Sequence, residues 1–330
     1  GPPRHFYSLL QMEEDKYTQY CFQDGNSSCR KDSLSTSIYV TLYIFFSLIS
    51  TFTVFLNLLV IISISHLKQL QTPTNLLILS LAVSDLLVGL IVIPAMTVAI
   101  MESCWVLGEY FCVLLLYTYL LCTSLSLGNL VLISFDRYVA VCDPLLYHSK
   151  ITIPRMKLFI FITWCCSIIY NAVTLKLTVN TEVPSRCFEE CYFSEGFTSG
   201  IIVDLIISLV TPCSIIITLY LKIFVVARSQ AKKVFSNGAA TVSGVKTAQA
   251  NKSERKATKT LSLVVFNYLM CWIPIYFFQY IYFASGSSSS AFICFLLLIN
   301  SFINPIIYAF FYPWFKVTAK RILTLKLRRF

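Results

Sequence analysis

Charge is what this sequence has least of. Only 13% of its 330 residues are Asp, Glu, Lys or Arg, against 57% hydrophobic. Soluble domains carry about 25% charged residues, so a water-soluble fold is excluded and the bilayer becomes the solvent. Histidine is scarcer still: His5, His66 and His148, none at metal-ligand spacing and none beside a nucleophile. That leaves nothing from which to build an enzyme centre. Ten glycines and eleven prolines are too few for a low-complexity or collagen-like chain. The apolar runs are neither glycine-broken nor repeated in two halves, which argues against a transporter. Cysteine is absent after Cys294, so no palmitoyl anchor is expected on the amphipathic helix of the tail. The opening Gly1-Pro2 resembles a protease scar. No cleavable leader is expected, because the first apolar run begins near Ser37.

Apolar runs are what remain. Seven are long enough to cross, at about 20 residues each: 37–65, 74–101, 109–135, 157–178, 200–226, 260–283 and 291–311. Most carry polar residues at helical spacing, which suits helices packed around a polar interior. The expected fold is an all-α membrane protein, a seven-helix transmembrane bundle over 37–311, between an N-terminal segment (1–36) and a C-terminal segment (312–330). All but six of the 26 lysines and arginines fall on the C-terminal side of the membrane, the six being Arg4, Lys16, Arg30, Lys31, Lys176 and Arg186. The positive-inside rule then places the N-terminus outside. Eleven of the sixteen acids lie on or near that outer face. They form either a cation-concentrating mouth or ordinary solvated loops.

Six cysteines fall outside: Cys21, Cys29, Cys104, Cys112, Cys187 and Cys191. An even count in an oxidising compartment fits three disulfides. Asn26 opens an external "NSS" glycosylation acceptor, whereas "NKS" at Asn251 faces inward. The tail "FYPWFKVTAKRILTLKLRRF" interleaves aromatics and leucines with cations. It reads as a short amphipathic eighth helix lying on the inner leaflet.

Span three ends in "SFDRYVAVCDPLLYH" (Ser134 to His148), span six carries "CWIP" (Cys271 to Pro274), and span seven ends in "NSFINPIIYAFFYPWFK" (Asn300 to Lys316). With Asn57, Asp85, Trp164 and Pro212 in their spans, the chain resembles a rhodopsin-like G-protein-coupled receptor along essentially its whole length. Within that class it is similar to the trace amine-associated receptors, an aminergic branch used mainly in olfaction. The resemblance implies disulfides Cys112–Cys191, Cys21–Cys187 and Cys29–Cys104, the last two being one of three ways to pair four cysteines. It implies an Arg137 held by Asp136 at rest and freed on activation, with Tyr220 and Tyr308 closing around it. Pro274 and Pro305 kink spans six and seven, and Trp272 packs under the ligand. Asp85, Ser126, Asn300 and Asn304 resemble a hydrated sodium pocket, although Asp85 alone could be a structural hydrogen-bond hub. The implied partners are a small amine, a stimulatory or olfactory-type heterotrimeric G protein and membrane lipids, with no nucleic acid. No cofactor is implied beyond an allosteric sodium ion, and the expected location is the plasma membrane.

One departure bears on the ligand. Aminergic receptors usually carry an aspartate seven residues after the outer cysteine of span three. Here that position is Tyr119, and "CVLLLYTYLLCTSLSLGN" contains no acid. Span five instead holds Asp204, eight residues before Pro212. That is about 12 Å of helix, while Tyr119 lies roughly 10 Å below the outer end of span three, so the two sit at similar depth. A subset of the family is described in which the amine-holding acid moves to span five, and this sequence fits it. Asp204 reads as that anchor, or as a structural acid bonded to a tyrosine. Membrane acids generally mark function. Ser208 is at i+4 from Asp204, and Tyr119, Thr123 and Ser126 share a face. Tyr119 either stacks on the ligand's cation or fills volume. Tyr276 and Gln279, above Trp272, are pocket walls or packing residues. Glu189 and Glu190 are solvated loop acids or holders of a diamine's second ammonium. The rival readings are a receptor of the same fold for a peptide or lipid and, behind it, a transporter.

Overall fold

The computed structural model describes residues 35–102, 107–178, 206–236, 258–274 and 291–324. Among these every regular element is helical. In chain order they are α1 (Thr36–His66), α2 (Pro73–Leu87), α3 (Ile93–Met101), α4 (Gly108–Cys142), α5 (Pro144–Lys150), α6 (Ile153–Thr178), α7 (Thr211–Ser236), α8 (258–274), α9 (Ala291–Phe311) and α10 (Pro313–Leu323). Five stretches among the described residues are long and apolar enough to cross a membrane: Thr36–His66, Pro73–Ala99, Tyr110–Cys142, Ile153–Leu177 and Ile206–Ser229. The protein is thus an all-helical, multi-pass membrane protein. The described part of span six (260–283) lies in α8, and span seven (291–311) is α9.

Helix ends overrun the apolar runs where the chain leaves hydrocarbon. The third run stops at 135, yet α4 continues through Asp136 and Arg137 to Cys142. The fifth stops at 226, yet α7 reaches Ser236. Hydropathy marks the membrane boundary, while backbone hydrogen bonding decides where a helix ends. The short α5, which hydropathy does not register, begins with Pro144 in its first turn, where the missing N–H costs nothing.

Two π turns, Val88–Val92 and Ile206–Val210, each run directly into a helix with proline in its opening turn, Pro94 and Pro212. A proline cannot donate to the carbonyl four residues back, and its ring crowds that carbonyl. Widening the preceding turn relieves both problems. The Ile93 N–H accordingly bonds the Val88 carbonyl, five residues back. The Gly89 carbonyl in that turn accepts from the Ser50 Oγ of α1 at 2.8 Å.

The bundle is apolar outside and polar along its axis. Phe45, Phe52, Phe161, Ile169, Phe224 and Phe266 are each more than half exposed, which in water would be a liability and in lipid is solvation. Asn57, Ser84, Asp85, Asn129, Ser301 and Asn304 are buried. Helix α4 runs through the centre, against α2, α6 and α7, while α9 closes onto α1 and α2. One apolar cluster surrounds Leu77, Ile133, Tyr268 and Tyr308, and a second surrounds Val92, Met96, Cys112 and Cys122. Tyr119 packs against both. On α10, Phe315 and Thr318 are buried while Lys316, Lys320 and Arg321 are exposed, an amphipathic helix packed on α1 and α9.

The seam between α1 and the first π turn is close at Gly89. A Cβ there would lie 3.0 Å from Val54 Cγ2 and 3.2 Å from the Val54 backbone nitrogen. Gly89→Val is expected to destabilise the protein by about 1–3 kcal/mol through overpacking. A lowered thermal midpoint of the detergent-purified protein checks this, and an unchanged midpoint contradicts the seam's tightness.

Candidate functional site

Asp85 stands at the centre of the bundle, fully buried. Its Oδ1 accepts from Ser301 Oγ at 2.7 Å and its Oδ2 from Asn304 Nδ2 at 2.9 Å. Of the three residues grouped with it by sequence, only Asn304 bonds it directly. Asn300 Oδ1 accepts instead from Asn267 Nδ2 on α8 at 2.9 Å. Ser126 Oγ lies 3.4 Å from Ser84 Oγ. Asn57 Nδ2 donates to the Ser301 carbonyl at 3.2 Å, joining α1 to the same hub. The donor set around Asp85 is all oxygen and amide, with Asn304 Oδ1 buried and without a hydrogen-bond partner. Those are the ligands a hard cation takes.

Towards the Cys112 end, α4 presents Tyr119 and Thr123, with Thr123 Oγ1 donating to the Tyr119 carbonyl at 2.8 Å. Trp272 is buried at the base of this region, stacked on Tyr268 with ring centroids 5.4 Å apart. Ser208 sits in the π turn, its Oγ 3.4 Å from the Tyr170 hydroxyl of α6. The i, i+4 relation between Asp204 and Ser208 assumes a regular α-helix, and the turn starting at Ile206 is wider than that. Asp204, Tyr276 and Gln279 lie outside the described residues. So do Asn26, Cys21, Cys29, Cys104, Cys187 and Cys191. Cys112 is disulfide-bonded. Cys122, Cys142, Cys165, Cys166, Cys213 and Cys271 are free.

At the opposite end, Asp136 and Arg137 form a buried ion pair, Nη2 to Oδ2 at 2.6 Å and Nε to Oδ2 at 2.9 Å. Two hydroxyls from other helices bridge it. Thr74 Oγ1 of α2 accepts from Arg137 Nη2 at 2.8 Å and donates to Asp136 Oδ2 at 2.9 Å. The Tyr147 hydroxyl of α5 accepts from Arg137 Nη2 at 3.3 Å and donates to Asp136 Oδ1 at 2.9 Å. A buried ion pair survives only when its remaining hydrogen-bonding capacity is met, and these hydroxyls meet it. Burial, and then the neighbouring Asp136 carboxylate, push the Tyr147 phenol up to about 12. It therefore stays protonated and remains a donor at physiological pH. Tyr308 is fully buried on α9 after Pro305, with its hydroxyl unpartnered. Tyr220 is half-buried on α7, and Pro274 is the last described residue of α8.

Residues 56–308 match the family described as 7 transmembrane receptor (rhodopsin family). The chain is 36% identical over 327 residues to trace amine-associated receptor 13c of Danio rerio, covering 96% of each chain. It is 37% identical over 321 residues to trace amine-associated receptor 6 of Homo sapiens, covering 93% of this chain and 92% of that one. It is 34% identical over 316 residues to trace amine-associated receptor 1 of Homo sapiens, covering 92% and 93%. The chain belongs to the trace amine-associated receptors. It is therefore a rhodopsin-like, multi-pass receptor and not an enzyme.

Four polar partners in this receptor escape a reading of the motifs alone. Ser301 is three residues before Asn304 and so shares its helix face; the Asn-Ser pair opening the span-seven motif carried that signal. Asn267 lies four residues before Cys271 on α8, again one face. Thr74 and Tyr147 are 62 and 11 residues from Asp136, and nothing local in the sequence ties either to it.

Proposed function

We propose that this receptor binds small amines through Asp204 and signals through a stimulatory, olfactory-type heterotrimeric G protein to raise cyclic AMP. Membership of the trace amine-associated receptors supports the ligand class. The observation that carries the assignment of Asp204 is the absence of any acid between Cys112 and Asn129 on α4, where Tyr119 takes the usual place. An ammonium needs a formal negative charge, and Asp204 supplies one at matching depth. The amine replaces cavity water on Asp204 with a charge-assisted bond, and its apolar part packs on Tyr119, Thr123, Trp272 and Tyr276, with Gln279 and Ser208 at the margins.

The cation distribution supports an extracellular N-terminus and a plasma-membrane location. It also directs the Asp136–Arg137 pair inward. Leu145, beside Pro144 on α5, is 95% exposed at that end, an apolar contact offered to a G protein. The resting role we give Asp136 has Arg137 released on activation and received by Tyr220 and Tyr308, with α8 moving about Pro274 and α9 bending at Pro305. A cyclic-AMP assay against amines of varied chain length and charge tests the assignment. A dose-dependent rise is expected, and a surface-expressed receptor silent to every amine contradicts it.

Asp85, Ser126, Asn300 and Asn304 would hold a sodium ion, with Ser301 as a fifth donor, and the ion supplies positive charge that steadies the buried carboxylate. Sodium is expected to lower agonist affinity in wild-type membranes and to have no effect in Asp85→Asn. Equal sodium sensitivity in both, measured by radioligand competition, contradicts the site.

A further inference from the structure

A cavity of about 500 Å³ lies between α7 and α8 at the Arg137 end, away from the amine region. Its size falls within the range of small-ligand pockets. Its wall includes Ile216, Leu221 and Phe224 from α7 and Val265, Phe266 and Leu269 from α8. Leu221, Phe224 and Phe266 are more than 60% exposed, so the cavity opens sideways, toward the surrounding lipid rather than the bundle axis.

The lining is graded. Thr258 and Lys259 line the end nearest the membrane surface, where α7 reaches Ala227. Arg228 follows Ala227 and is exposed. Among the described residues no acid lines the cavity. Deeper in come Tyr220 and Ser262, and beyond them the wall is wholly apolar through Ile216, Val265 and Leu269. Thr258 is 8% exposed and its Oγ1 has no hydrogen-bond partner, an uncommon state for a buried hydroxyl. From Ala227 to Ile216 the α7 wall runs about 16 Å at 1.5 Å per residue. One cationic polar end at the membrane surface and a long apolar interior match a molecule with the same order of parts.

We propose that this groove binds one acyl chain of an anionic phospholipid, its headgroup at Lys259 and Arg228 and an ester or phosphate oxygen accepting from Thr258 Oγ1. A sterol, with a single neutral hydroxyl, leaves the cations unused. The proposal is independent of which amine the receptor recognises.

The test uses the full-length receptor in nanodiscs containing phosphatidylserine or phosphatidylcholine, each with a mid-chain diazirine, followed by photolysis and peptide mapping. Adducts are expected to concentrate on 216–227 and 258–269. Phosphatidylserine should label about 25-fold more than phosphatidylcholine, the preference two cations confer near a membrane surface at about 1 kcal/mol each. Lys259→Gln should cut that preference to about fivefold, and Lys259→Gln with Arg228→Gln should erase it. Leu221→Trp, at a position already 62% exposed, should block labelling by filling the groove from outside without disturbing the core. Labelling spread evenly over all lipid-facing helices, equal labelling by the two phospholipids, or stronger labelling of the same peptides by a photoactivatable sterol each overturns the proposal.

Discussion

Asp204→Asn is expected to cost the receptor roughly 150- to 5,000-fold in amine potency. The figure follows from removing one side of a buried ion pair, about 3–5 kcal/mol, at ~1.4 kcal/mol per decade of affinity. The asparagine is nearly the same shape, so the loss isolates charge from packing. Asp204→Ala should behave alike. Surface expression should hold in both variants. The double variant Asp204→Asn with Tyr119→Asp should recover part of the response: an acid on α4 at matching depth restores the charge, with the amine turned end for end. A change below about threefold in Asp204→Asn, less than a neutral hydrogen bond is worth, would leave the ammonium without its proposed anchor.

Asp136→Asn should raise basal cyclic AMP. The Asp136 carboxylate accepts from Arg137, Thr74 and Tyr147 at once, and the ion pair it forms is buried. Losing its charge forfeits at least ~3 kcal/mol of that arrangement, about 150-fold in a two-state ratio. That is enough to bring a signalling state populated at about 1 in 100 to rough parity with the resting one. Tyr147→Phe removes a single bridging hydroxyl and should raise basal activity less, in the same direction. Basal signalling of Asp136→Asn equal to wild type at matched surface density would mean that the pair does not restrain the receptor.

The sequence announces the ion pair because it is written in contiguous residues, Asp136 beside Arg137; of the hub it announces Asp85 and Asn304, each by the motif around it, but not Ser301. It announces the spans because lipid demands apolar length. What it does not announce is set by packing between distant segments. Asn300 faces Asn267 rather than Asp85, and Ser126 faces Ser84, because the rotation of α9 and α4 about their own axes is decided by neighbouring helices. Helical phase counted along a chain cannot supply that rotation. Pro94 and Pro212 signal a disturbed backbone, but a kink, a 3₁₀ turn or a π turn would each relieve a proline, and only the structure shows that both take the π form. This matters most near the proposed anchor, because the π turn starts two residues after Asp204 and helical phase cannot be counted across it.

The central claim is that the amine's charge is held by span five and not by span three. The direct measurement is a cryo-electron-microscopy structure of the receptor with an activating amine bound. The account predicts the ligand nitrogen within hydrogen-bonding distance of the Asp204 carboxylate, with the ligand body against Tyr119 and Trp272. A nitrogen held elsewhere, at Glu189 or Glu190 or over the Tyr119 ring with Asp204 turned away, would contradict it.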